Sequence, residues 1–393
     1  MSEFLVILLV ISKLYYVSIF SLAGYNFTLS DICLVLFIVQ LILPIGKKYP
    51  RDRSVDIILR KIIIISTAIA LLNCVSSVMI GAAVTSSVMN IIKRWISMLV
   101  IPLYIYRCVA PNKREKITFW IIASICVYTL LNIRTILSAD AVRYTAEGTA
   151  NPNVIAGLFG LLFIFAINAE YKFYIKAGIM MVSAVMMVAC SSRGGILALL
   201  LTLFYYLCAS NIKINKKIGV MVGCAVIIVG GLILGTIFLP AATERIVVSF
   251  TEGFSEVESY QTRMGTLGEI VKMMFSNPEL LFFGTGYGNG NLQRIAARYG
   301  YILTTADNMY GNLFAWCGLL GLPFIVMYFV KLIKLGKVSP KTKTNAITLI
   351  TVFMLTLGFT QDAIFEPTVG CLYHILLGLE IIKCVDAKSP EAL

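Results

Sequence analysis

The sequence predicts an all-α polytopic membrane protein of about twelve transmembrane helices, and three observations lead there. Hydrophobic residues make up 59% of the 393 and charged residues only 13%, with a mean hydropathy of +0.88, a balance that does not describe a water-soluble globule. Apolar stretches of roughly 16–25 residues, each long enough to cross a hydrocarbon core of about 30 Å as a helix, recur from end to end. Lysine and arginine concentrate in every second connection, as the positive-inside rule requires.

In chain order the stretches lie near 4–23, 31–46, 62–83, 92–110, 117–137, 153–169, 177–191, 195–210, 218–240, 309–333, 345–361 and 368–384. The first follows Met1-Ser2-Glu3 without a basic segment or a small-residue cleavage site, so it is expected to stay as a membrane anchor. The ten cysteines stand singly in or beside apolar segments, which suggests neither a disulfide framework nor a zinc site. No repeat or polar linker divides the chain, so 1–393 reads as one membrane domain.

With both termini in the cytoplasm, connections 47–61, 107–116, 170–176, 211–217 and 331–343, together with the tail, hold 22 of the 33 basic residues. The net charge of +13 therefore reads as orientation and not as a nucleic-acid footprint. Apart from Lys13 inside the first stretch, ten basic residues remain for the opposite side: Lys93, Arg94, Arg134, Arg143, Arg193, Arg245, Arg263, Lys272, Arg294 and Arg298. Eight of these ten are arginine, against five of the 22 inside. Orientation needs only positive charge, whereas the planar guanidinium fork grips phosphate or carboxylate by two hydrogen bonds. The outer face is equipped for an anion.

Two places on that face carry the chemistry. Cys190-Ser191-Ser192-Arg193-Gly194-Gly195 interrupts the apolar run at the turn between the seventh and eighth stretches. A helix starting there presents free N–H groups and its positive dipole end beside Arg193, with hydroxyls from Ser191 and Ser192, while Gly194 and Gly195 leave a ligand room to approach. The alternative is an arginine anchoring a tight turn at lipid headgroups. The second place is the long connection 241–308, where periodicity predicts a helix over about 262–275. Its arc of Met264, Leu267, Ile270, Val271, Met274 and Phe275 includes Arg263, with Glu269 and Lys272 opposite.

Gly284-Thr285-Gly286-Tyr287-Gly288-Asn289-Gly290 lacks the strand–turn–helix setting of a nucleotide loop and reads as a flexible outer turn, with Tyr287 and Asn289 as candidate glycan contacts. Asn151-Pro152-Asn153 and Asp307-Asn308 stand at helix starts; they read as caps or as carboxamides and a carboxylate lining an outer vestibule. His374, the one histidine, reads as a packing residue.

Together, CSSRGG opening an apolar helix, a long outer connection with Thr262-Arg263 and GTGYGNG, and Ala306-Asp307-Asn308-Met309-Tyr310 running into Trp316-Cys317-Gly318-Leu319-Leu320-Gly321 resemble the bacterial O-antigen polymerase and O-antigen ligase superfamily over about 150–330. The resemblance implies a GT-C-like fold with one large extracytoplasmic loop. It implies a metal-independent, inverting glycosyltransferase of the cytoplasmic membrane, without cofactor, whose donor is an undecaprenyl-diphosphate-linked oligosaccharide. A chain-length regulator and a flippase would be its protein partners, and membrane lipid its surroundings. Arg193 and Arg263 match the two family arginines and are implied to hold the donor diphosphate, beside Ser192, Gly194 and Gly195. Family ligases commonly carry histidine where this chain has Asp307-Asn308, which favours a polymerase. Asp307 is the first candidate general base, ahead of Asp140 and Glu147 of the 138–152 connection, and Asn153 and Asn308 are candidate glycan contacts. Two alternatives stand beside the polymerase: a ligase delivering glycan to a lipid A core or other acceptor, and a transporter of lipid-linked glycan or anions. Transporters place charges near mid-membrane, whereas here they gather at one rim.

Overall fold

The computed structural model describes residues 2–15, 18–22, 25–43, 49, 52–81, 84–132, 152–209, 213–251, 258–303, 308–336 and 346–386. It is 86% helical. The helices are α1 (Ser2–Tyr15), α2 (Leu29–Ile42), α3 (Arg53–Met79), α4 (Val84–Cys108), α5 (Arg114–Leu131), α6 (Pro152–Asn168), α7 (Phe173–Ala189), α8 (Arg193–Ala209) and α9 (Ile214–Phe238). The long connection holds α10 (Pro240–Thr251), α11 (Glu258–Ser276), α12 (Pro278–Phe283) and α13 (Asn289–Arg298), and the chain closes with α14 (Met309–Gly336), α15 (Ala346–Leu357) and α16 (Val369–Asp386).

Each of the twelve apolar stretches thus holds a helix. Three helical segments, Arg53–Met79, Lys217–Phe238 and Met309–Gly336, are long and apolar enough to cross a membrane, and several shorter apolar helices accompany them. The first stretch departs most from expectation. Its helix stops at Tyr15, and Ser18–Leu22 pairs antiparallel with Tyr25–Thr28 as strands β1 and β2, the Phe20 and Phe27 rings stacking at 4.7 Å. At 1.5 Å per residue α1 is only about 21 Å long, short of a hydrocarbon core.

The centre of the bundle is α6, whose residues from Pro152 to Ala166 are all buried. A helix apolar on every side must be enclosed by others, and α7, α8, α15 and α16 pack against it. Elsewhere α14 lies along α3, α16 along α4, and α9 along α7.

The 241–308 connection is more ordered than a loop with one helix. Ile270, Met273, Met274, Leu280, Leu292, Ile295 and Leu303 form a small core of their own against Ile80 and Ala315. The buried arc of α11 is shifted from the expected one: Ile270 and Met274 are inside with Met273, while Met264, Val271 and Phe275 are exposed. Glu269 and Lys272 do pair on the outer side, at 2.7 Å.

The glycine run is a wedge. Helix α14 breaks at Gly318, where φ is +58°. Into that break fits the backbone of 284–286: Thr285 N–H donates to Ala315 O at 2.7 Å and Gly286 N–H to Trp316 O at 3.2 Å. Gly284 and Gly286 have φ of +77° and +73°. A Cβ on Gly284 would strike the Trp316 carbonyl, and one on Gly286 would strike Ser77 of α3. Gly284→Ala is therefore expected to cost about 1–3 kcal/mol, visible as a lower melting temperature in detergent. Gly290→Ala, where a Cβ meets nothing within 4 Å, should melt like the parent.

Candidate functional site

The CSSRGG turn joins α7 to α8 in three residues. Ser191, at φ +46°, reverses the chain in the left-handed region that side chains disfavour. Its N–H donates to Val188 O at 2.8 Å and its hydroxyl to Ala242 O at 3.2 Å. Ser192 Oγ accepts the Gly195 N–H at 3.2 Å, capping α8, and donates to Asn153 Oδ1 on α6 at 2.9 Å. Two residues expected at different parts of the site thus share one hydrogen bond, and half-buried Arg193 opens the helix beside them.

The glycines differ from the open cradle expected of them. A Cβ on Gly194 would collide with the side chain of Thr360, and one on Gly195 would sit 3.2 Å from the Ala156 Cβ. Both are small so that protein can approach protein, and Arg193 and the helix start are what remain at this turn of the cradle expected from the sequence.

The turn 358–362, between α15 and the short 3-10 helix Ala363–Phe365, is where the parts meet. Beyond holding α8 through Thr360, its Gly358 carbonyl accepts the Met309 N–H at 2.8 Å. Asn308 caps α14, its Oδ1 accepting from Tyr310 N at 2.9 Å and Gly311 N at 3.0 Å, and its Nδ2 reaches Phe359 O at 3.4 Å. Leu267 of α11 packs over Gly311, its Cδ1 being 2.8 Å from where a Cβ would stand. Half-buried Arg263, one turn before Leu267, faces the same way. The starts of α8 and α14 therefore flank one turn, with Arg193 at the first.

Sequence reasoning missed the acidic residue at its end. Asp362 Oδ1 accepts from Asn312 Nδ2 of α14 at 2.6 Å. Arg94, noted only as an outer charge, donates from Nη1 to Phe365 O at 3.0 Å, sits 5.6 Å from the Tyr287 ring centroid, and feels the carboxylates of Asp362 and Glu366. Around them are polar atoms buried without a hydrogen-bond partner among the described residues: both amide atoms of Gln361, Asn312 Oδ1 and Trp316 Nε1. Such orphans are expensive, about 1–3 kcal/mol each, unless water or another group satisfies them. The available signal was Gln361-Asp362 and Glu366-Pro367, two acids in a connection of a few residues between apolar stretches.

Tyr287, expected at the glycan, is 2% exposed, its ring 4.5 Å from that of Trp316, so protein and not sugar covers it. Asn289 begins α13. Asp140, Glu147 and Asp307 lie outside the described residues. His374 is buried with Nδ1 against Gly370 O, as a packing residue. Among the described residues no three His, Cys, Asp or Glu side chains gather as a metal site.

Glu366, half-buried, is the second acid of this region. Its Oε2 accepts from Thr368 N at 2.7 Å and Val369 N at 2.6 Å, and burial pushes its carboxyl above the ordinary range against the pull of those N–H groups and Arg94.

No family model matches the chain, and no curated protein is significantly similar to it.

Two outcomes test this geometry. Gly194→Ala should lower the melting temperature by displacing Thr360, and Thr360→Gly should restore most of the loss, a coupling that independent sites do not show. Because folding holds the Glu366 proton to higher pH, its contribution is complete below the unfolded value of about 4.3 and is lost as pH rises through the native value. Glu366→Gln keeps an acceptor for both N–H groups and cannot ionise. Its melting temperature should gain on that of the parent from pH 4 to pH 8.

Proposed function

We propose that the chain is a membrane polysaccharide polymerase. It transfers a glycan from undecaprenyl diphosphate to the next lipid-linked repeat unit at the outer face of a bacterial cytoplasmic membrane. In this reading the twelve apolar helices cross the membrane and both termini are cytoplasmic. The observation that supports it is that the start of α8, which Arg193 opens, and the start of α14 both meet one turn that ends in a carboxylate.

The chemistry follows from those groups. The acceptor hydroxyl oxygen attacks C1 of the donor sugar, the C1–O bond to the diphosphate breaks, and negative charge grows on the departing phosphate. Arg193, Arg263 and the N-terminus of α8 stabilise that charge. A carboxylate takes the hydroxyl proton as the new bond forms. Asp307 holds that role on sequence grounds. Asp362 joins it on geometry, since Asn312 fixes its orientation and Thr360, two residues before it, touches the helix that carries Arg193. Asn153 and Ser192 brace the donor end.

Repeat-unit transfer is measured as product ladders from the host's own lipid-linked repeat. Arg193→Lys should lose about 10- to 100-fold, since an ammonium brings the charge without the two parallel bonds, a difference of about 1.5–3 kcal/mol. Alanine should lose more, and Arg263→Ala should combine with it less than additively. Asp307→Asn and Asp362→Asn, compared at equal membrane abundance, identify the base as the one that lowers turnover while donor binding stays. A fully active lysine variant would remove the diphosphate grip from this position.

A further inference from the structure

Directly along α8 from Arg193 lies a partly open cavity of about 240 Å³, lined by α7, α8, α9 and α10. Met187, Ile196, Leu200, Leu232 and Val247 are among its walls. The one hydroxyl there belongs to Thr251, and it already donates to the Val248 carbonyl at 3.0 Å. The walls therefore offer an entrant no free hydrogen bond, and an apolar cavity of this kind stays dry.

The cavity exists because α9 leans on α7. A Cβ on Gly231 would sit 2.8 Å from the Ala184 Cβ, and one on Gly235 2.6 Å from Val188 Cγ1, so the two small residues one turn apart bring the backbones together. Drawn toward α7, α9 stands away from α8, and α10 closes the gap from above through Ile246 and Val247.

Size and position narrow the occupant. A cavity of about 150 Å³ holds benzene, so by proportion this one takes roughly ten carbons, which is one chain segment and not the two chains of a phospholipid. Ile196 and Leu200 lie three and seven residues along α8 from Arg193, or about 4.5 and 10 Å at the helical rise. The Met187 methyl lies 3.5 Å from where a Gly195 Cβ would stand, so a wall residue of the cavity packs against the CSSRGG turn. An entrant would have an anionic head at the arginine and a single apolar tail immediately beneath it.

We propose that this cavity receives the first two isoprene units of a polyprenyl diphosphate, with the rest of the tail leaving between α8 and α9. The choice of a diphosphate head rests on the function proposed above; the single-chain slot rests on the cavity alone.

The test uses the full chain in detergent and a benzophenone-bearing geranylgeranyl diphosphate. Photolysis should attach the probe to peptides of α8 and α9 containing Leu200 or Leu232. Unlabelled undecaprenyl diphosphate should compete, and phosphatidylglycerol at the same concentration should not. Leu200 and Val247 line the cavity yet are 41% and 49% exposed. Tryptophan at either fills the slot from its rim without disturbing the core. Leu200→Trp and Val247→Trp should each lower labelling about tenfold at an unchanged melting temperature. Leu201→Trp, exposed on the same helix and not in the cavity wall, should leave labelling within about twofold. Equal competition by phosphatidylglycerol, attachment elsewhere, or undiminished labelling in both lining variants overturns the proposal. If the labelling pattern holds while a strain lacking the protein still makes long-chain glycan, the lipid site stands and the polymerase reading falls. If that strain makes only single repeats while labelling fails, the reverse is true.

Discussion

The first turn of α8 lies against the turn at 358–362 because residue 194 has no side chain. The space a Cβ would take is filled by Thr360. That contact sets the position of a short segment, running into the 3-10 helix Ala363–Phe365, on which three other helices depend. Gly358 and Phe359 offer carbonyls to the start of α14, Asp362 takes a hydrogen bond from Asn312 within it, and Phe365 takes one from Arg94 of α4. Gln361 reaches the central helix, its Nε2 being 2.9 Å from where a Cβ on Gly157 would stand. A one-carbon change at residue 194 would therefore be felt well beyond α8.

The same arrangement explains how so much charge is held at one end of an apolar bundle. Arg94 is balanced by Asp362 and Glu366 and lies over the face of Tyr287, and Glu366 is bound by two backbone N–H groups. Buried charge is tolerable when paired and hydrogen-bonded. Arg193 opens α8, at the positive end of a helix dipole. A carboxylate held by a neutral carboxamide, with cations close by, suits proton removal during charge transfer to phosphate.

Much of the fold could be read beforehand, because length and apolar content decide where a helix can lie in a membrane. That each of the twelve apolar stretches holds a helix, three of the described helices being long and apolar enough to cross a membrane, follows from chemistry of that kind, as do the tight CSSRGG turn and the Asn308 cap. What escaped depended on tertiary contact. The run Tyr16-Val17-Ser18-Ile19-Phe20 is apolar enough to extend a helix, yet it is rich in β-branched and aromatic residues that favour a strand. The glycines of GTGYGNG, like Gly194 and Gly195, signal close approach without saying whether ligand or protein approaches; Trp316, Ser77, Thr360 and Ala156 answer that. Asp362 carried no motif, and only the arrival of Asn312, Arg94 and the α8 turn at the same place makes it a candidate.

The central claim is that arginines and carboxylates at this end of the bundle suffice for glycan transfer from a lipid diphosphate. The direct measurement is reconstitution of the purified full chain in liposomes with the host's undecaprenyl-diphosphate-linked repeat unit, in excess chelator and without nucleotide, followed by mass spectrometry of the lipid-linked products. The account predicts a ladder of two, three and more repeats on one lipid, with one undecaprenyl diphosphate released for each bond formed. Repeat units left unextended under these conditions, and extended once a divalent cation or a nucleotide is supplied, would contradict it.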